Sequence, residues 1–131
     1  MRDVARSTEF YRALGWPLSE ASVAGEVSFF NTQGGILALW GHEALAADAG
    51  VESEPAPAYR GTGLAVNVES PSAVDDLLRR AEAAGARITR AAAKTEWGGY
   101  NGYFADPDGH LWEVAHNPFW PIGPDGRPQL P

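Results

Sequence analysis

Gly102-Tyr103-Phe104-Ala105-Asp106-Pro107-Asp108-Gly109-His110-Leu111-Trp112-Glu113-Val114 is the stretch that decides the fold. At its centre, Asp106-Pro107-Asp108-Gly109 combines a ring-fixed φ, short side chains that bond back to their own backbone, and a glycine free to go left-handed, a strong turn signature. The flanking runs, 102–105 and 111–116, predict two antiparallel strands. Period-two alternation then sorts the second strand, with Leu111, Glu113 and Ala115 on one face and Trp112, Val114 and His116 on the other.

Upstream, Gly63 opens another alternating strand. Leu64, Val66 and Val68 supply an apolar face, and Gly63, Ala65 and Asn67 the face of small or polar residues. Ser70 followed by Pro71 reads as a cap and first helical residue. Val74, Leu77, Leu78 and Ala81 form the buried stripe of that helix, and Gly85 stops it. Residues 86–93 read as a strand. Nearer the start, Asp3 caps a helix carrying Val4, Ser7, Phe10, Tyr11 and Leu14 on one face, with Gly15 as its stop. Residues 27–31 and 36–40 read as strands about Thr32-Gln33-Gly34-Gly35.

The two blocks repeat one another. Residues 30–40 align without gaps on 104–114, which places Leu39 opposite Glu113. The chain therefore divides into a first module (1–40) lacking its opening strand, a linker (41–62) with room for one short helix, a second module (63–117) and a Pro-rich tail (118–131). Two such units best bury their sheet faces by pairing. The expected class is α+β.

Composition limits the chemistry. With no cysteine, disulfides, zinc-thiolate sites, iron–sulfur clusters and thiol catalysis are excluded. Seventeen acidic against ten basic residues leave a net charge of −7, which repels phosphate backbones and argues against nucleic acid as a partner. No apolar run approaches the ~18 residues of a membrane span and no cleavable signal is visible, so the expected location is the cytoplasm and no membrane partner is anticipated.

The segment Asp3-Val4-Ala5-Arg6-Ser7-Thr8-Glu9-Phe10-Tyr11-Arg12-Ala13-Leu14-Gly15 and the closing hairpin at 102–114 together resemble the vicinal oxygen chelate superfamily. That group contains glyoxalase I, extradiol dioxygenases, and bleomycin- and fosfomycin-resistance proteins. The resemblance implies paired βαβββ modules whose sheets curl into a cup, commonly in a homodimer, and in the family a strand precedes the Asp3 helix. In many members His and Glu on the first and last strands of each module bind a divalent metal. Those positions fall on Glu113, on Gly63, on Leu39 by the repeat alignment, and on one position ahead of Met1.

One carboxylate does not make a stable divalent site, so no cofactor is expected, with a divalent metal as the alternative. His116 lies three residues from Glu113 and so on the opposite strand face, and does not complete the set. If Glu113 faces the cup, Asn67 joins it there among small residues, the composition of a small-molecule pocket. Trp97-Gly98-Gly99-Tyr100 presents flat aromatic faces on a flexible backbone, a rim for a planar or cationic ligand. The candidate ligand-binding residues are thus Asn67, Trp97, Tyr100 and Glu113, with Glu113 also the candidate catalytic base; Trp40 is a weaker candidate. The leading expectation is a metal-free small-molecule binding protein, its acidic balance favouring a cationic ligand. The alternatives are a metal-dependent lyase, isomerase or oxygenase using Glu113, and an interaction module without a ligand site.

Overall fold

Both long helices begin where a side chain satisfies an otherwise unpaired backbone N–H. The Asp3 carboxylate accepts from Arg6 N at 2.9 Å and Ser70 Oγ from Ala73 N at 3.1 Å. In the computed structural model, which describes residues 1–32 and 34–130, these caps open α1 (Val4–Ala13) and α3 (Pro71–Ala83). Gln33 of the expected 32–35 turn and Pro131 of the tail lie outside the described residues. The remaining elements are β1 (Val27–Asn31), β2 (Ile36–Trp40), a short α2 (His42–Asp48), β3 (Leu64–Asn67), β4 (Arg87–Lys94), β5 (Tyr100–Ala105) and β6 (Leu111–His116). The class is α+β, with the helices and two open sheets divided between two compact units, Met1–Arg60 and Gly61–Pro131. Among the described residues no helix is long and apolar enough to cross a membrane.

In the first unit β1 and β2 pair antiparallel, and α1 covers one face of the ribbon. Phe10, Tyr11 and Leu14 meet that face, where Phe30 and Leu39 are fully buried. Tyr11 sits between the Phe30 and Trp16 rings, 6.0 and 5.4 Å away centroid to centroid. A half-buried polar pair fixes the helix on the strands: Ser28 Oγ and Thr8 Oγ1 lie 2.6 Å apart, and Thr8 itself donates to Val4 O.

The second unit is a four-stranded sheet in the order β3-β6-β5-β4, parallel between β3 and β6 and antiparallel elsewhere. α3 packs on one face, burying Val74, Leu77, Leu78 and Ala81 against Phe104, Trp112 and Val114. Gly102 lies under that helix; a Cβ there would come 2.6 Å from Leu78 Cδ1 and 3.0 Å from the Ala92 backbone. The β5–β6 turn is organised by Asp106. Its buried carboxylate accepts from Asp108 N (2.9 Å) and His110 N (2.8 Å) and pairs with His110 Nδ1 at 3.0 Å.

Comparison of the two units shifts the expected pairing of residues 30–40 with 104–114 by one residue beyond the turn. The Met1 amine donates to Trp40 O at 2.6 Å, as Val68 N donates to Ala115 O at 2.8 Å, and Met1 and Val68 each stand two residues before a helix cap. Trp40 therefore corresponds to Ala115, Leu39 to Val114, and Ala38 to Glu113. Face parity agrees, since Leu39 pairs with Ser28 on the α1 side, whereas Glu113 points away from α3. The gap-free alignment that set Leu39 against Glu113 is thus corrected. Its error comes from the connection between Phe30 and its partner Leu37, which is one residue shorter than that between Phe104 and its partner Trp112.

Candidate functional site

Strand parity brings one set of side chains to the sheet face of the second unit that α3 does not cover. Across the register, Ala65 stands beside Glu113 and Asn67 beside Ala115; on the other side of β6, Tyr103 pairs with Glu113 and Asn101 with Ala115. Arg90 of β4 pairs with Tyr103 after a register shift in that strand. Glu113 and Asn67, expected to share a face, do so.

Around Glu113 the polar atoms form a continuous network. Asn101, 5% exposed, donates through Nδ2 to Glu113 Oε1 and accepts at Oδ1 from Arg90 Nη2. Its orientation is therefore fixed by an acceptor on one side and a cation on the other. The same Arg90 nitrogen reaches the Asn101 backbone carbonyl at 3.4 Å, and the guanidinium carbon stands 5.0 Å from the Tyr103 ring centroid, a cation–π contact. Tyr103 stands opposite Glu113 across the β5–β6 pair. Burial, then the neighbouring Glu113 carboxylate, raise the Tyr103 hydroxyl above the ordinary tyrosine value, while Arg90 pulls it down. At neutral pH the phenol is a proton donor beside a carboxylate.

Arg90, Asn101 and Tyr103 were missed by sequence reading. The alternation that places Glu113 also runs through β5, so Asn101 and Tyr103 carried a usable signal. Arg90 did not, because two register shifts in the β4–β5 pairing break the parity count between Arg87 and Lys94.

Tyr100 and Trp97 lie elsewhere in the unit. Tyr100 pairs with His116 and Lys94 on the α3 side of the sheet, and its hydroxyl donates to Asp75 Oδ1 of α3 at 3.0 Å. That bond, then burial and the Asp75 charge, raise its pKa. Trp97 is 46% exposed at the β4–β5 tip, its ring lying over Gly99. Gly98, at φ 93°, makes that tip possible. These two residues and the Glu113 face are not brought together. In the first unit Trp40 pairs with Val27, on the ribbon face opposite Leu39.

The donor set at Glu113 does not fit a divalent ion. Glu113 is the single carboxylate on its sheet face, already accepts from Asn101, stands opposite Tyr103, and has a guanidinium one side chain away. The corresponding position in the first unit is Ala38, which has no donor atom. Among the described residues no three His, Asp or Glu side chains group as a metal site.

Residues 1–114 match the sequence family described as the Glyoxalase/Bleomycin resistance protein/Dioxygenase superfamily. The chain is similar to a glyoxalase-related enzyme from Fulvimarina pelagi, at 38% identity over 99% of this chain and 91% of that one, with a TM-score of 0.88. It is also similar to a glyoxalase/bleomycin resistance protein/dioxygenase from Nocardioides, at 31% identity over 88% and 77% of the two chains, TM-score 0.71. A lactoylglutathione lyase from Agrobacterium tumefaciens shares the fold at 23% identity over 92% and 90%, TM-score 0.69. No curated protein matches the chain.

Proposed function

As this chain belongs to the glyoxalase/bleomycin resistance protein/dioxygenase superfamily, we propose that it binds a small molecule on the Glu113 face of its second unit without a divalent metal. The observation that carries this reading is the commitment of Glu113 to protein donors. Its carboxylate takes the Asn101 amide and faces Tyr103 across the strand pair, and Arg90 supplies compensating charge through Asn101. A divalent ion would have to displace those bonds and meet that positive charge with no second carboxylate on the face to hold it. The same network suits an organic ligand. Ala65 and Ala115 carry only methyl groups beside Glu113 and Asn67, and Glu113, Tyr103 and Asn67 place polar groups on one face in a small area. A ligand group that donates to, or carries positive charge toward, Glu113 completes the arrangement, in keeping with the net charge of −7. In this reading the protein is a cytoplasmic homodimer.

Elemental analysis of the purified protein and a thermal-shift screen of cationic and neutral small molecules test the proposal together. Expected are sub-stoichiometric Mn, Fe, Ni and Zn, and hits whose stabilisation disappears in Glu113→Gln and weakens in Tyr103→Phe. Stoichiometric metal that is lost in Glu113→Gln overturns the metal-free reading. Hits indifferent to both substitutions overturn the site. Light scattering at the chromatographic peak tests the dimer, which a single-chain mass would contradict.

A further inference from the structure

On the α3 side of the second unit's sheet, away from Glu113, an open cleft of about 500 Å³ lies between the start of α3, the β4–β5 hairpin and the end of β6. Its floor is a row across three strands, Lys94, Tyr100 and His116, which are direct register partners. Pro71 and Pro118 wall it, and Gly98 and Gly99 form its hairpin edge. Two exposed aromatic rings stand at that edge: Trp97 over Gly99, and Phe119, 66% exposed, within van der Waals reach of a Cβ on Gly98.

The chemistry of the row is polarised. The ammonium of Lys94, the only lysine in the chain, has no hydrogen bond or ion pair to any described residue, so a cation stands open at one end. At the other end His116 Nδ1 lies 3.2 Å from the Val68 carbonyl oxygen. A carbonyl oxygen only accepts, so Nδ1 carries the proton, and Nε2 of the neutral ring is left as an acceptor. Between them is the Tyr100 ring, whose hydroxyl is engaged by Asp75, the one acidic residue lining the cleft. Neighbouring strands are ~4.8 Å apart, so the two ends of the row are separated by about 10 Å at the backbone.

We propose that this cleft is a second ligand site, distinct from the Glu113 face, for an aromatic carboxylate bearing a hydroxyl at its far end. The carboxylate pairs with Lys94, the ring lies on Tyr100 between the two prolines, and the hydroxyl donates to His116 Nε2. Each end of the ligand meets a group of opposite character, and a flat apolar body matches the floor and the exposed aromatic edge.

Reductive ¹³C-methylation keeps the lysine charge and gives one side-chain NMR signal, from Lys94, alongside that of the α-amino group. Titration with 4-hydroxyphenylacetate is expected to shift the Lys94 signal saturably and leave the α-amino signal in place. Phenylacetate, lacking the donor, should bind about tenfold more weakly, the loss of one well-made hydrogen bond. 4-Hydroxyphenylethylamine, with the charge reversed, should not shift the signal. His116→Phe should abolish the preference for the hydroxylated acid, and Glu113→Gln should leave the titration unchanged. The proposal is overturned by a Lys94 signal that does not move, by equal responses to the three probes, by a preference that survives His116→Phe, or by loss of binding in Glu113→Gln. Movement of the Lys94 signal on simple dilution, without any probe, would show a second copy of the chain in the cleft and would also overturn it.

Discussion

Asn101 is the residue on which the Glu113 network depends. It is buried, and its amide joins a cation to an anion that do not otherwise touch. Asn101→Ala removes one hydrogen bond from each charged neighbour and is expected to cost about 1–3 kcal/mol in urea unfolding. Asn101→Asp, which puts a second carboxylate beside Glu113, should lower stability at neutral pH and recover as the pH falls. The Tyr103 hydroxyl adds a dependence at the other end of the scale. Its folded pKa is raised, so the stability it contributes is fully present below the ordinary tyrosine value and is lost as pH rises through the folded one. Absorbance titration of the folded protein should therefore lose a component titrating above the ordinary tyrosine value in Tyr103→Phe, and another in Tyr100→Phe. A titration unchanged by Tyr103→Phe would contradict the contact with Glu113.

At the scale of elements, the β5–β6 hairpin was legible because its turn is written in residues with fixed conformational roles. The structure adds that the Asp106 carboxylate is buried and bonds two backbone N–H groups of the turn. Asp106→Ala leaves both without their partner and is expected to cost about 2–4 kcal/mol, read as a lowered denaturation midpoint; Asp106→Asn, which keeps an acceptor, should lose less. Gly102 is the complementary case in the strand itself. A methyl group there collides with Leu78 and with the Ala92 backbone, so Gly102→Ala should destabilise by about 1–3 kcal/mol through displacement of α3. The sequence marked Gly102 only as part of a motif. The reason for the glycine is the closeness of a helix and a strand that are remote from it along the chain.

A net charge of −7 predicts that the protein passes through heparin at low salt, with no salt-dependent retention. Retention would expose a basic patch that the total conceals. Both units repeat one plan, a capped helix over antiparallel strands, and in each the chain just ahead of the cap bonds to the end of the last strand, as Met1 does to Trp40 and Val68 to Ala115. That plan could be read directly, since caps, glycine stops and alternation are local signals.

The sequence by itself determined the α+β class, the helix stripes, the strand faces and the isolation of Glu113 from His116, because each follows from a period of two or of 3.6 within one element. Tertiary structure alone decided which side chains from different strands meet. Register across a turn depends on its exact length, and a single residue moved the counterpart of Glu113 from Leu39 to Ala38. The irregular pairing of β4 likewise put Arg90 beside Tyr103 where parity gave no guide. Tyr100 shows the same limit from the other side: alternation within its strand already separates it from Tyr103, but only the packing of α3 shows that it faces Asp75, Lys94 and His116. Periodicity assigns a face to each residue, and long-range pairing assigns its neighbours.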